Sequence, residues 1–189
     1  ANRASDRDLI LIHPYNDPDV VKGQGSIGLE LLKEIKDLDC LVIPIGGGGL
    51  ISGVSIAAKA LNPKIQIFGV ESKLFPSMYN ILNNTKMSCG GDTIADGIAV
   101  KQPGEINIPI IQNNVDDIFL VDEISIENSI SSLFENERVI SEGAGAAGIA
   151  AIMENEKTFK GKKVATIICG GNIDGRIFAG ILNRQLSRD

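Results

Sequence analysis

The stretch from Leu41 to Leu50 constrains the fold of this chain more than any other. The apolar run Leu41-Val-Ile-Pro-Ile45 has the length and composition of a buried strand, and the four glycines Gly46 to Gly49 follow it directly. Because glycine has no Cβ, this loop can take positive φ and can turn successive N–H groups towards an anion. The helical segment at residues 51–61 adds a positive N-terminal end. The pattern predicts a phosphate-binding loop, although a glycine turn that only packs a helix on a strand has a similar sequence.

The residues that flank the glycines limit which phosphate-containing ligands the loop could bind. The loop does not end in Gly-Lys-Ser/Thr, which excludes the P-loop of nucleoside triphosphate enzymes. Its Gly-x-Gly spacing leaves a dinucleotide-binding interpretation open. For that interpretation Glu71, at the end of the next predicted strand, would be the ribose-binding carboxylate.

Length and composition limit the other possibilities. The chain has 189 residues, of which 43% are hydrophobic, so we expect one α/β domain spanning residues 1–189. A net charge of -6 and only 4% aromatic residues argue against nucleic acid as a partner. Neither a long apolar run nor a signal-like N-terminus is found, which favours a cytoplasmic protein with no membrane partner. The three cysteines are scattered and predict neither a disulfide framework nor a zinc site.

Strand-like and helix-like segments alternate along the chain, which predicts an α/β fold with a parallel sheet. We expect strands at residues 8–13, 41–45, 64–71, 115–121 and 162–169. We expect helices at residues 26–36, 51–61, 76–84, 123–137, 142–153 and 173–186, with Ser26 capping the first. Loops are expected at residues 14–25 and 93–109. Since ligands bind beyond the carboxyl ends of parallel strands, the loops at residues 46–49 and 169–172 and the end of the strand at Glu71 are expected to line one crevice.

Seven motifs then become recognisable in order along nearly the whole chain. They are His13-Pro-Tyr-Asn-Asp-Pro18, Gly23-Gln-Gly-Ser-Ile-Gly-Leu-Glu30, Pro44-Ile-Gly-Gly-Gly-Gly-Leu50, Gly69-Val-Glu71, Ala95-Asp-Gly97, Glu142-Gly-Ala-Gly145 and Cys169-Gly-Gly-Asn-Ile-Asp174. Together they resemble the serine/threonine dehydratases, pyridoxal phosphate (PLP) enzymes of the tryptophan synthase β-like fold. The resemblance implies a fold type II enzyme, with a three-layer twisted parallel sheet and helices on both faces.

The same resemblance implies roles for particular residues. The phosphate of PLP would bind to Gly46, Gly47, Gly48, Gly49 and Leu50. Cys169 would stand against the pyridine nitrogen, where a neutral thiol does not hold the ring protonated. Its simpler interpretation is a buried small hydrophobe. The glycine turn and the helix start after it are expected to lower the pKa of the thiol. Further pocket residues would be Asp96, Gly97 and Glu142; for Asp96 and Glu142 a turn role and a helix-capping role are the alternatives.

Two family features are absent from these 189 residues. The Schiff-base lysine lies in a Ser-x-Lys-x-Arg-Gly segment and the substrate-carboxylate loop reads Ser-x-Gly-Asn-His, both upstream in the family. Thr158-Phe-Lys-Gly161 imitates the lysine segment only superficially, and Lys160 is expected at the surface. The chain thus looks like the carboxyl-terminal part of a catalytic domain, lacking most of the small domain, with no ACT domain. Glu71 is a weak candidate metal ligand, because the second carboxylate position of relatives falls on Ser77.

The favoured hypothesis is a chain or fragment of a PLP-dependent L-threonine/L-serine dehydratase. The resemblance implies an α,β-elimination in which the β-hydroxyl of L-threonine or L-serine leaves and the resulting enamine is hydrolysed to 2-oxobutyrate or pyruvate and ammonia. Without the lysine, the isolated chain is predicted to be inactive. It is expected either to form a homo-oligomer or to complement an amino-terminal segment that carries the lysine. The alternatives are a non-catalytic remnant with weak or no PLP binding and a dinucleotide-binding Rossmann-like domain.

Overall fold

The computed structural model of the chain describes residues 10–186, and of residues 185 and 186 it describes the backbone only. Its sheet contains the parallel strands β1 (Cys40–Pro44), β2 (Gln66–Ser72), β3 (Asp117–Val121) and β4 (Val164–Thr166). The order across the sheet is β3-β2-β1-β4. Parallel neighbours need crossover connections, and helices supply them here. The predicted parallel α/β sheet is confirmed.

One or more helices lie between each strand of the sheet and the next along the chain. The helices are α1 (Pro18–Glu34), α2 (Gly49–Leu61), α3 (Ser77–Asn83), α4 (Asn107–Asn114), α5 (Glu123–Ser132), α6 (Gly143–Glu154), α7 (Glu156–Phe159) and α8 (Gly175–Leu186). A 3-10 turn covers Asp96–Ile98, and a π-helical turn, Leu133–Glu137, extends α5. None of the helices in the described part is both long and apolar enough to cross a membrane.

Hydrophobic side chains cover both faces of the sheet because successive strand residues point in opposite directions. On one face, Cys40 and Val42 of β1 pack with residues of α5, α6 and α8, such as Ile126. On the other face, Leu41 and Ile43 pack with residues of α2 and α4. The sheet is therefore the middle of three layers, as the sequence predicts.

The first helix begins earlier than the sequence analysis expects. Helix α1 starts at Pro18, and the side chain of Asp17 caps it by accepting from the N–H groups of Asp19 and Val20. The predicted loop at residues 14–25 and the predicted cap at Ser26 are therefore wrong. Proline at the first helical position, after an aspartate cap, is a helix-start signal that outweighs the glycines. Gly28 lets α1 lie close to α2, since a Cβ on it would come within 2.7 Å of the Val54 carbonyl oxygen.

Three further segments differ from expectation. Residues 10–13 are not a strand, and the rest of that predicted strand lies outside the described residues. Helix α4 begins inside the stretch predicted to be irregular. Strand β4 covers only part of the predicted residues 162–169. At its end, Thr166 Oγ1 donates to the Val42 carbonyl at 2.8 Å.

Helix α6 lies unusually close to its neighbours because glycine occupies its contact positions. A Cβ on Gly143 would overlap the Ile94 carbonyl, and one on Gly148 would overlap the side chain of Thr166. A Cβ on Gly145 would lie 2.6 Å from Ser141 Oγ. The close packing expected from the small residues of this segment is therefore present, and it brings the start of α6 to the carboxyl edge of the sheet.

Candidate functional site

The glycine loop, Gly46–Gly49, connects the carboxyl end of β1 to the start of α2. Gly48 is the N-cap of α2 with φ of +94°, and no side chain caps this helix end. The first N–H groups of a helix have no intrahelical partner. In the described part of the chain the amides of Gly48, Gly49 and Leu50 donate to no other acceptor. Together with the helix dipole, these free donors favour a bound anion.

Tight packing explains most of the glycines in this loop. A Cβ on Gly47 would overlap the ring of Tyr15, and one on Gly46 would lie 2.9 Å from the Gly97 carbonyl oxygen. Only Gly48 has a positive φ among the four. Positive φ therefore explains the glycine at position 48, whereas at Gly46 and Gly47 the reason is space.

The segment before α1 covers one side of the loop. Both the Tyr15 and Asn16 N–H groups donate to His13 Nδ1, at 3.3 and 2.9 Å, which turns the chain sharply. The ring of Tyr15 lies edge-on to His13, and its hydroxyl donates to the Gln102 carbonyl at 3.2 Å. His13 therefore acts as a structural acceptor, and Tyr15 forms a wall beside Gly47.

A second wall carries Asp96 and Gly97. The carboxylate of Glu123, at the start of α5, accepts from Thr93 Oγ1 and from the Ile94 N–H, both at 2.8 Å. These bonds fix the loop just before the 3-10 turn. A Cβ on Gly97 would lie 2.9 Å from the Ala144 Cβ and 3.3 Å from Glu142 Oε1, so this turn touches the start of α6.

Glu142 links that wall to the thiol turn, which we define as residues 169–172. Its Oε2 accepts from the Asn172 N–H at 3.0 Å, and its own N–H donates to the Gly170 carbonyl at 3.1 Å. The Glu142 side chain makes no capping hydrogen bond to α6. The helix-capping alternative for Glu142 is therefore wrong, and the carboxylate lies between Gly97 and the thiol turn.

Cys169 lies at the carboxyl end of the sheet, three residues beyond β4. The residue as a whole is exposed, but its sulfur lies 3.9 Å from the Ala144 carbonyl oxygen. Desolvation of the thiol raises its pKa, and the neighbouring Glu142 carboxylate raises it further. The expected lowering of this pKa is wrong, because these two effects outweigh the backbone hydrogen bond that favours the thiolate. The thiol therefore stays protonated at neutral pH.

These groups meet in one cavity of about 600 Å³, the size of a cofactor pocket. Its lining includes the predicted residues Gly46, Gly47, Gly48, Gly49, Leu50, Gly97, Glu142 and Cys169. Asp96 lines a neighbouring cavity of about 730 Å³, which shares Gly97 and Glu142 with the first. The structure thus brings every predicted cofactor-binding residue to one cavity, and it places Asp96 in the adjacent cavity.

Glu71 does not face this cavity. Its side chain is fully buried, and its carboxylate accepts from the N–H groups of Met78 and Tyr79 at 2.9 and 2.8 Å and from Ser77 Oγ at 3.3 Å. Burial raises the pKa of Glu71 to about 7, against these hydrogen bonds, which lower it. The carboxylate holds the start of α3, so it is not placed to bind a ribose. Within residues 10–186, no three His, Cys, Asp or Glu side chains come together to hold a metal ion.

Lys160, considered in the sequence analysis, and Lys22 both lie away from the cavity. Lys160 is exposed, and Lys22 is an exposed residue of α1 that pairs with Asp19 at 2.9 Å. In the part of the chain that the structure describes, no lysine lines the cavity.

Sequence reasoning missed several residues of the site. Tyr15, Gln24 and Ile27 line the cavity, and Asn107 holds the glycine loop from behind. Tyr15 belongs to a motif that carried the family resemblance, and this was the available signal. Asn107 gave no signal, because it lies in the stretch predicted to be irregular.

Comparisons with known proteins agree with this geometry. Residues 1–170 match the family described as "Pyridoxal-phosphate dependent enzyme". The chain is 45% identical over 179 residues to L-threonine ammonia-lyase of Thermotoga maritima, covering 94% of this chain and 44% of that protein. The chain spans about half the length of the curated relatives it matches.

Solved structures lead to the same family. The processed form of threonine deaminase isoform 2 from Solanum lycopersicum superposes with a TM-score of 0.88 at 33% identity, over 96% of this chain and 51% of that chain. Maize serine racemase superposes with a TM-score of 0.86, also at 33% identity, over 97% of this chain and 59% of that chain. These matches confirm the fold type II architecture. The chain belongs to the pyridoxal-phosphate dependent enzyme family.

Proposed function

We propose that this chain forms the phosphate-binding and ring-binding part of the active site of a PLP-dependent L-threonine/L-serine dehydratase. The observation that carries the proposal is the cavity itself. Free amides of the glycine loop, the neutral thiol of Cys169 and the carboxylate of Glu142 line the same space. The chain would be the carboxyl-terminal part of the catalytic domain.

The residues present fit PLP by their chemistry. The amides of Gly48, Gly49 and Leu50, at the positive end of α2, suit the phosphate. A side chain at Gly47 would overlap the Tyr15 ring, so the backbone itself forms the floor of the cavity. When bound, PLP supplies an electron sink that stabilises negative charge at the α-carbon of an amino acid.

Cys169 would be the partner of the pyridine nitrogen. Its raised pKa keeps the proton on sulfur at neutral pH, so the partner is neutral rather than anionic. A neutral partner leaves the ring nitrogen largely unprotonated, which favours elimination over side reactions such as transamination. Glu142 would hold the thiol turn in place, because its carboxylate accepts from the Asn172 N–H.

The reaction proposed is the conversion of threonine or serine to 2-oxobutyrate or pyruvate with release of ammonia. The name of the Thermotoga maritima relative, L-threonine ammonia-lyase, supports this choice. The amine that binds PLP covalently would come from outside the described residues. Assembly as a homo-oligomer, pairing with a lysine-bearing segment and a cytoplasmic location stay predictions from the sequence.

PLP titration followed by absorbance tests the proposal. We expect saturable binding to the 189-residue chain, competed by inorganic phosphate, and no binding of NAD. Borohydride reduction followed by peptide mapping should give only scattered lysine labelling, since no described lysine lines the cavity. Absence of PLP binding would favour the non-catalytic remnant, whereas saturable NAD binding would favour the dinucleotide-binding alternative. Stoichiometric labelling of one lysine, with 2-oxobutyrate formed from threonine, would contradict the predicted inactivity of the chain.

A further inference from the structure

Asn107, the first residue of α4, lies directly behind the glycine loop. Its side chain is fully buried, and its Nδ2 donates to two backbone carbonyls, that of Tyr15 at 2.8 Å and that of Gly47 at 2.9 Å. A Cβ on Gly48 would lie 2.9 Å from the Asn107 Cβ, so the two residues are in direct contact. Asn107 thus ties the wall formed by Tyr15 to the floor of the cavity.

The bond to Gly47 fixes the orientation of a peptide group. The Gly104 N–H donates to the same carbonyl at 2.9 Å, so two donors hold it on the side of α4. The Gly47–Gly48 peptide bond is trans, since the described residues contain no cis peptide. In a trans peptide the N–H points opposite to the C=O. The Gly48 N–H is therefore turned away from Asn107, which is not among the residues that line the cavity.

The environment of the Asn107 amide oxygen indicates that the side chain acts here as a donor. Asn107 Oδ1 is buried and has no hydrogen-bond partner among the described residues. Leaving a buried acceptor unpaired costs free energy. The two donated bonds are thus what the side chain contributes at this position, and a residue that cannot donate would lose both.

We infer that Asn107 is a positioning residue that orients the Gly48 amide for the phosphate of the ligand. The inference rests on the proposed function, because it assumes that the glycine loop binds a phosphate. Asn107 acts through the peptide between Gly47 and Gly48 and touches no ligand itself. Two predictions separate this role from a merely structural one: the Gly48 amide binds phosphate, and losing Asn107 weakens phosphate binding more than it weakens the fold.

The first arm of the test uses the unaltered chain. Inorganic phosphate is titrated while the amide resonances of Gly48, Gly49 and Leu50 are followed by ¹H–¹⁵N NMR. The inference requires the Gly48 amide to shift downfield together with the other two. Shifts at Gly49 and Leu50 without one at Gly48 would overturn the inference and leave the proposed function standing. No shift at any of the three would overturn both.

The second arm compares N107L with N80L. Asn80 is the control, because its side chain also ties down a loop away from the cavity: Nδ2 donates to the Met87 carbonyl at 2.9 Å, and Oδ1 accepts from Thr85 Oγ1 and the Met87 N–H. N107L should weaken phosphate and PLP binding by about ten- to a hundredfold, the effect of losing one hydrogen bond to a charged group. N80L should leave both affinities unchanged at a comparable loss of melting temperature. Equal affinities in N107L and the unaltered chain would overturn the inference, and if N107L does not fold, the first arm decides.

Discussion

The glycine loop and the thiol turn face the same cavity from neighbouring strands, β1 and β4, but the fold holds them very differently. Gly47, Gly48 and Gly49 are buried, and Tyr15 and Asn107 pack against them. In the thiol turn Cys169, Gly171 and Asn172 are exposed. Its contacts with the rest of the chain include the two hydrogen bonds to Glu142. Substitutions should therefore disturb binding and folding together on the glycine-loop side, and local chemistry on the thiol side.

The largest effect should come from valine at Gly47. Its side chain would overlap the Tyr15 ring, so we expect loss of phosphate and PLP binding by more than about a hundredfold and a loss of stability of about 1–3 kcal/mol. Isothermal titration calorimetry and denaturant unfolding measure the two effects. The control is G23A in α1, where a Cβ meets nothing within 4 Å; it should stabilise the chain by about 0.5–1 kcal/mol. Unchanged phosphate binding in G47V would show that the buried loop is not rigid.

A pH dependence of stability should come from Glu71, near the end of β2, whose carboxylate is buried against the start of α3. Its pKa in the folded chain is about 7, against 4.5 for the ordinary carboxyl, so the folded state retains a proton that the unfolded state has lost. The contribution of Glu71 to the free energy of unfolding, on the order of 3 kcal/mol, should be fully present below about pH 4.5. It should be lost as the pH rises to about 7.

Urea unfolding at pH values between 5 and 8 measures this dependence. The pH dependence should be largely absent in E71Q, whose side chain cannot ionise. A control, E30Q, changes an exposed carboxylate of α1 and should keep the slope. A stability that rises with pH in this window would show that the hydrogen bonds to α3 dominate over burial.

On the thiol side, removing the charge of Glu142 should change reactivity more than stability. In E142Q the carboxylate no longer raises the pKa of Cys169, so that pKa should fall and the thiol should react faster near pH 8. The rate of alkylation of Cys169 by iodoacetamide, followed by mass spectrometry across pH 6 to 10, checks this. An unchanged pH profile would mean that desolvation alone sets the pKa.

The smallest effect should come from serine at Cys169. Serine keeps a neutral hydrogen-bonding group at this position, so PLP affinity should stay within about threefold, a free-energy change below that of a typical hydrogen bond. Aspartate at the same position should instead favour a protonated ring, seen as a changed pH dependence of the bound PLP spectrum. A large loss of affinity in C169S would show that the thiol turn is held as strictly as the glycine loop.

Local signals in the sequence predicted most of the fold. Apolar runs located β1, β2 and β3, and the glycine cluster located the start of α2, because both patterns depend on neighbouring residues alone. The start of α1 was missed because the glycines at positions 23 and 25 were taken as loop residues, although the second of them lies at the contact with α2, where a Cβ on Gly25 would be 3.3 Å from the Gly53 carbonyl oxygen.

Site residues that belong to a sequence motif could be predicted. Site residues that join the site only through long-range tertiary contacts could not. The Asn107 amide bonds to Tyr15 and Gly47, which lie 92 and 60 residues away along the chain. No local pattern reports such distances. The pKa of Cys169 was missed for a similar reason, because it is raised first by desolvation of the thiol in the folded chain and then by the Glu142 carboxylate of another element.

The close approach of α6 to its neighbours affects which sequences this fold tolerates. Gly143 and Gly148 have no room for a Cβ, since Ile94 and Thr166 occupy that space. Substitutions at these two positions should therefore be depleted in a saturation mutagenesis library selected for folded protein, although Gly148 lines neither cavity beside Glu142. Glycines that tolerate no substitution in α6 would then indicate close packing between layers. A binding site inferred from such glycines alone would include residues that bind no ligand.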